Sequence, residues 1–231
     1  MTAPADRRRV WRALLGIGLT CTVIFVGVAA KATSGVPNRI DRAAADRLMA
    51  SSETSVSYRV GHFFSAGGSP TFVALIAIGL AVVVWSRRWD LRLAAWCLLA
   101  PALAGVLELG AKNLVGPQQP VWFNRWFPEE ALAFPSGHAT GAASIATLVI
   151  VLAFTAQLRR SSRAAVIVVA AGYAVAVALS RVVIGYHLAM DAVGGLLLGT
   201  GVTALCGVIV LSRPLLVERR AARHATSDVP S

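Results

Sequence analysis

Apolar residues in this chain fall into six long runs separated by shorter polar stretches: Ala13 to Ala30, Gly67 to Trp85, Leu93 to Leu109, Ala139 to Leu158, Ala164 to Leu179 and Ala189 to Leu211. A helix needs ~20 mostly apolar residues to cross ~30 Å of hydrocarbon, so each run predicts a membrane span, the two short ones borrowing flanking interfacial residues. The expected fold class is therefore all-α: a polytopic membrane protein with six transmembrane helices in a bundle. Between the first two spans, Lys31 to Ala66 is polar, yet Ile40, Ala44, Leu48 and Met49 recur at helical spacing among Asp41, Arg42, Asp46 and Arg47. That pattern predicts a short amphipathic helix on the outer surface of the membrane, a connector in the simpler reading and a lid or ramp for a lipid in the other. Pro70 and Pro101 are read as kinks, not boundaries. Gly137 with Gly141, and Gly195 with Gly199, are small-xxx-small pairs that let helices approach closely. The domain reading is a tail over 1–12, a six-span domain over 13–211 and a second tail over 212–231, its last dozen residues frayed.

Composition agrees with a membrane protein: 56% of the 231 residues are hydrophobic, 14% are charged and mean hydropathy is +0.67. The net charge of +11 raises the question of nucleic acid, and its distribution answers it. Fourteen of the 22 Lys and Arg residues, with four of the 11 acids, fall on one side of the predicted spans, a net +10 against +1 on the other. The positive-inside rule then places both termini in the cytoplasm, and the basic clusters need no nucleic-acid partner. Arg7 to Arg9 ahead of an apolar run imitate a signal peptide, but 18 residues exceed the usual ~7 to 15, so the run reads as an uncleaved anchor. Cys21, Cys97 and Cys206 sit in separate runs without CxxC spacing and read as small buried hydrophobes.

The candidate chemistry stands at span ends. Pro135 to Thr140 reads PSGHAT and Ser180 to Asp191 reads SRVVIGYHLAMD. His187 and Asp191, four apart, share a helix face, so the carboxylate can hold the imidazole in one tautomer. PSGH reads as an anion cradle: Pro135 suits a helix start, Ser136 is a candidate cap, and Gly137 lets backbone N–H groups reach a ligand at the positive end of a helix. Lys112 follows Glu108 by one turn, so the acid can steady the ammonium. Lys112, His138, Arg181 and His187 all fall on the same side of the predicted topology, where ionisable groups are functional candidates. Trp122, Phe123, Trp126 and Phe127 suit the headgroup level, as an aromatic belt or as a lip around an amphiphile. His62 and His224 are given no role.

These motifs resemble the phosphatidic acid phosphatase type 2 superfamily, which includes lipid phosphate phosphatases and shares its site with vanadium haloperoxidases. The family pattern is a lysine followed after six residues by Arg-Pro, then PSGH, then Ser-Arg followed after five residues by His and after three more by Asp. Here the second and third motifs are complete, and the first reads KNLVGPQQP, with Lys112 and Pro120 in place and Gln119 where the arginine stands. The resemblance implies that His187 attacks phosphorus, that Asp191 orients it and that His138 serves as acid and then base. It also implies that Lys112, Gln119, Arg181, Ser136 and the Gly137 N–H bind the phosphoryl oxygens with no metal or other cofactor. Gln119 lacks the charge and fork of arginine, a loss of up to ~2 to 4 kcal/mol, or roughly 30- to 1000-fold in rate. Arg125 is the accessory candidate to offset it, and Glu108 the second accessory residue.

The expectation is an outward-facing lipid phosphatase in a bacterial plasma membrane, with membrane lipids around it and a lipid phosphate as substrate. Among substrates a polyprenyl diphosphate, such as undecaprenyl diphosphate, is narrowly favoured because an outward site would suit its recycling, with phosphatidate and phosphatidylglycerol phosphate close behind; the sequence does not choose among them. Gln119 motivates the alternative, a catalytically weak or inactive phospholipid binder or transporter. Halide oxidation is disfavoured because the chain is nearly all span.

Overall fold

A computed structural model describes residues 4–33, 37–88, 90–115 and 134–227. The described residues form eight α-helices and no strand: α1 (Pro4–Ala32), α2 (Arg39–Leu48), α3 (Val56–Ala66), α4 (Pro70–Arg88), α5 (Leu91–Val115), α6 (Gly137–Thr155), α7 (Arg160–Val183) and α8 (Ala189–Ser227). Six of them, all but α2 and α3, are long and apolar enough to cross a membrane, as the six runs predicted. Leu114, Val23, Val168 and many other large apolar side chains face outward, as a lipid-immersed surface requires.

The bundle is organised around α8, whose small residues admit its neighbours. Against α6, a Cβ at Gly195 or Gly199 would collide with the carbonyl oxygens of Ser136 and Thr140. Gly201 faces Cys21 of α1, and two indole N–H groups donate to α8 carbonyls at 3.1 Å, Trp11 to Val208 and Trp96 to Thr203. Gly141 meets Val73 of α4, so the expected small-residue pairs act in packing. The core beneath them joins Leu14, Val84, Trp96, Cys97, Ile145, Leu148 and Leu211. The three cysteines are free, Cys97 fully buried and the others partly so. Gly199→Ala is expected to cost about 1 to 3 kcal/mol by overpacking this contact. Gly172→Ala, where nothing lies within 4 Å, should be neutral or stabilise by about 0.5 to 1 kcal/mol, and thermal unfolding in detergent checks the pair.

Three expectations need correction. Pro70 begins α4 instead of kinking it, because proline at a first helical position gives up an N–H that has no partner anyway. The connector between the first two spans holds the expected amphipathic helix, α2, followed by a second helix, α3, but the buried stripe of α2 differs from the one its pattern predicts. On α2 the inward stripe is Asp41, Ala44, Ala45 and Met49, packed near Leu188 and Val182, while Ile40 and Leu48 point outward. The Ala50 N–H also donates to the Val183 carbonyl at 2.8 Å, which pins the α2–α3 link to the end of α7. Finally, the backbone of α8 stays helical to Ser227, so the last dozen residues are not frayed over that stretch.

Candidate active site

Chain direction brings the C-terminal ends of α5 and α7 and the N-terminal ends of α6 and α8 to one end of the bundle. Glu108 and Lys112 come from α5, Ser136, Gly137 and His138 from the start of α6, and Arg181 from the last turn of α7. His187 and Asp191 come from the turn into α8. That turn is built by its backbone. The Ile184 N–H donates to Ser180 and the Gly185 N–H to Val182, each at 3.0 Å. The Tyr186 and His187 N–H groups both donate to the Arg181 carbonyl, at 3.0 and 3.1 Å. Gly185 has φ 77°, the left-handed conformation that lets the chain fold back over a helix end and that a Cβ would disfavour.

At the start of α8, Asp191 does two things at once. Its Oδ2 accepts the Leu188 N–H at 3.0 Å, capping the helix, and the same oxygen lies 3.4 Å from His187 Nδ1. That contact favours a proton on Nδ1 and leaves Nε2 with its lone pair. The Asp191 carbonyl accepts the Ser136 N–H at 3.0 Å, so PSGH and the histidine–aspartate motif are joined directly. His187 is 2% exposed, and burial lowers its pKa. The carboxylate of Asp191 opposes that shift, while the charges of Arg181 and Lys112 add to it. The imidazole therefore stays neutral to lower pH than a free histidine, the state a nucleophile needs.

Arg181 is buried at 6% exposure. Its Nη1 donates to Ser65 Oγ of α3 at 2.7 Å, and its guanidinium lies 4.4 Å over the Tyr186 ring. Its Nε, like Ser136 Oγ, is buried without a hydrogen-bond partner. Buried polar groups are normally satisfied, so two donors left unmet at one helix-bundle end mark where an oxyanion would fit. Ser136 occupies the N-cap of α6 but makes no side-chain cap bond, which corrects its reading as a cap and leaves its hydroxyl available. His138 lies within electrostatic reach of Arg181, His187 and Lys112. Lys112 pairs with Glu108, whose Oε1 lies 3.0 Å from where a Cβ on Gly137 would be. Gln119 and Arg125, with Pro120 and the aromatics from Trp122 to Phe127, lie outside the described residues. Among the described residues, no three His, Cys, Asp or Glu side chains gather as metal ligands would.

The family model described as the PAP2 superfamily matches residues 91–214, more than half of the chain. The chain belongs to the PAP2 superfamily. All the candidate residues of this PAP2 chain lie inside that match. Its fold is similar to the crystal structure of "the first transmembrane PAP2 type phosphatidylglycerolphosphate phosphatase from Bacillus subtilis". The TM-score is 0.70 at 21% identity, covering 82% of this chain and 94% of that one. No curated protein matches the chain.

Three residues around this PAP2 site escaped the sequence reading. Ser65 and Tyr186 hold the Arg181 guanidinium; nothing in the local sequence marks Ser65, while Tyr186 stands inside the SRVVIGYHLAMD motif but is given no role. Asp41, on α2, accepts the Met190 N–H at 2.9 Å, so α8 is capped by its own carboxylate and by one from a distant helix. Burial raises the pKa of Asp41, backbone donation from Met190 and Asn38 opposes it, and the nearby charge of Asp191 adds to the rise. A signal existed: an acid at i, with alanines at i+3 and i+4, on the inward stripe of an amphipathic helix.

Proposed function

We propose that this chain is a membrane lipid phosphatase that hydrolyses a lipid phosphate or diphosphate through a phosphohistidine. The observation that carries the reading is the hydrogen bond from the Ser136 N–H to the Asp191 carbonyl, which unites the two complete motifs around a buried, neutral His187. In this reading, His187 Nε2 attacks phosphorus. The N–P bond forms as the P–O bond to the lipid breaks, and His138 gives its proton to the departing oxygen. Water, losing a proton to His138, then attacks phosphorus; the N–P bond breaks and inorganic phosphate leaves. Asp191 orients the ring and stabilises its transient positive charge. Lys112, Arg181, Ser136 and the Gly137 N–H bind the phosphoryl oxygens with Gln119, and the unmet Arg181 Nε and Ser136 Oγ support those assignments. Glu108 steadies Lys112 until substrate arrives, and Arg125 is the accessory cation.

A polyprenyl diphosphate is the favoured substrate, because an outward site suits recycling of a carrier lipid. Phosphatidate and phosphatidylglycerol phosphate follow, the latter also being the substrate class of the similar Bacillus subtilis enzyme. Lipid access is supported by α3, whose Val56, Val60 and Phe63 point outward beside the site. The charge distribution supports a site on the extracytoplasmic side with both termini in the cytoplasm, and the compact chain with its Ala, Val and Arg bias supports a bacterial plasma membrane. The test is release of inorganic phosphate in detergent, with chelator present, from diphosphorylated polyprenol, phosphatidate, phosphatidylglycerol phosphate and a soluble phosphate ester. Release from the lipids and not the soluble ester supports the reading.

Gln119 favours a second reading, an idle lipid binder of the same fold, and silence toward the whole panel would select it. If only charge was lost at that position, Gln119→Arg should raise turnover or hold it. A sharp fall in phosphate release would show that the amide has a role of its own.

A further inference from the structure

The end of the bundle opposite the candidate active site holds a cavity of about 1230 Å³ between α1, the start of α5, the end of α6 and the start of α7. Arg7, Arg9, Arg92, Arg160 and Arg163 line it, and the one acid among its described lining residues is Asp90. That carboxylate is already used at the head of α5, where its Oδ1 accepts the Arg92 and Leu93 N–H groups at 3.1 Å each. Arginines from three helices, each permanently charged, thus line one space. Most of the remaining wall is apolar, Leu14, Ile17, Ile150, Val151 and Phe154 among it, with Thr155 and Gln157 as its polar residues. Arg163 lies 5.2 Å over the Phe154 ring, so its planar fork is held at the junction between the charged and apolar parts.

The local electrostatics point the same way. Helix α7 starts with Arg160 and Arg163, its N-cap is Arg159 with no side-chain cap bond, and no acid occupies its first turn. Cations at the positive end of a helix dipole are unfavourable, and an anion placed there would relieve the repulsion. Arginines that only anchor a span in headgroups would spread around its rim; here they come from α1, α5 and α7 into a single cavity. The volume exceeds the ~300 to 1,000 Å³ of ordinary small-molecule sites, more than a free oxyanion fills.

We infer that this cavity is a binding site for an anionic phospholipid, its headgroup phosphate among the arginines and part of an acyl chain against Leu14, Ile17, Ile150 and Val151. The site is separate from the phosphatase reading and stands or falls without it. Occupancy ties together α1, α5, α6 and α7 at the end remote from the chemistry, so it acts as a structural lipid that stabilises the bundle by mass action.

Thermal unfolding of the full-length, delipidated protein in a neutral detergent tests this. Dioleoyl phosphatidylglycerol should raise Tm saturably, by about 5 °C or more near a hundredfold excess over Kd. Dioleoyl phosphatidylcholine and inorganic phosphate at equal phosphorus concentration should not. Two independent variants should each lose most of the shift: Arg160→Gln with Arg163→Gln, which removes headgroup partners, and Ile17→Trp, which fills the chain channel. Ile17 is 46% exposed, so the larger ring disturbs no core, and unchanged lipid-free Tm and gel-filtration volume confirm folding. An undiminished shift in both variants would place the lipid elsewhere, the candidate active site included, and overturn the proposal. Equal shifts with phosphatidylcholine would overturn the headgroup assignment, and equal shifts with phosphate would overturn the lipid.

Discussion

His187→Ala is expected to lower phosphate release from a lipid phosphate by roughly 10⁴- to 10⁶-fold, to the level that binding alone sustains. Removing a nucleophile eliminates the covalent route, whereas removing a phosphate ligand only weakens it. Size alone does not identify a nucleophile, so the pH profile of the native protein is the second half of the test. Burial, with Arg181 and Lys112 adding to it, lowers the His187 pKa, and Asp191 recovers only part of the fall. Activity that requires the neutral ring is present above that pKa and is lost as pH falls through it. The acid limb of kcat/KM should therefore lie below the ~6.5 of a free histidine. An acid limb above that value, or trapped ³²P that survives in His187→Ala, would contradict the assignment.

How much of this was legible in the sequence depended on the range of the interaction. The six spans were readable because hydrocarbon thickness imposes one length on every crossing, and α1, α4, α5, α6, α7 and α8 each overlap a predicted run. The gathering of Lys112, His138, Arg181 and His187 at one end followed from counting crossings, a topological argument that needs no side-chain detail. What could not be read were contacts set by packing between distant segments. Arg181 meets Ser65 from 116 positions away, and Met190 meets Asp41 from 149. Both partners sit in α2 and α3, whose inward faces are fixed by the ends of α7 and α8 rather than by their own periodicity. Ile40 and Leu48 follow the amphipathic rule yet point outward, while Ala45 and Met49 are the residues that pack against Leu188. Ser136 illustrates the opposite error: its position is that of a cap, but the hydroxyl does not bond back to the helix.

Asp191→Asn should lower turnover by roughly 10³-fold, about 4 kcal/mol, while leaving the protein folded. The argument turns on Oδ2, a single oxygen that accepts both the Leu188 N–H and the His187 Nδ1–H. An asparagine placing its carbonyl oxygen there keeps the helix cap and the tautomer, so the charge is what disappears. That charge matters most when His187 carries phosphorus and its ring becomes cationic, in a site where Arg181 and Lys112 supply only positive neighbours. The loss should therefore fall on kcat with KM little changed. Asp191 also raises the His187 pKa, through its hydrogen bond and its charge, so removing the charge should move the acid limb of kcat/KM to still lower pH. A residue that served only to cap α8 would shift Tm and leave the limb where it was. Asp191→Ala, which removes the cap as well, should be slower again and less stable by about 0.5 to 2 kcal/mol, and the difference between the two variants separates the structural part of Asp191 from its electrostatic one.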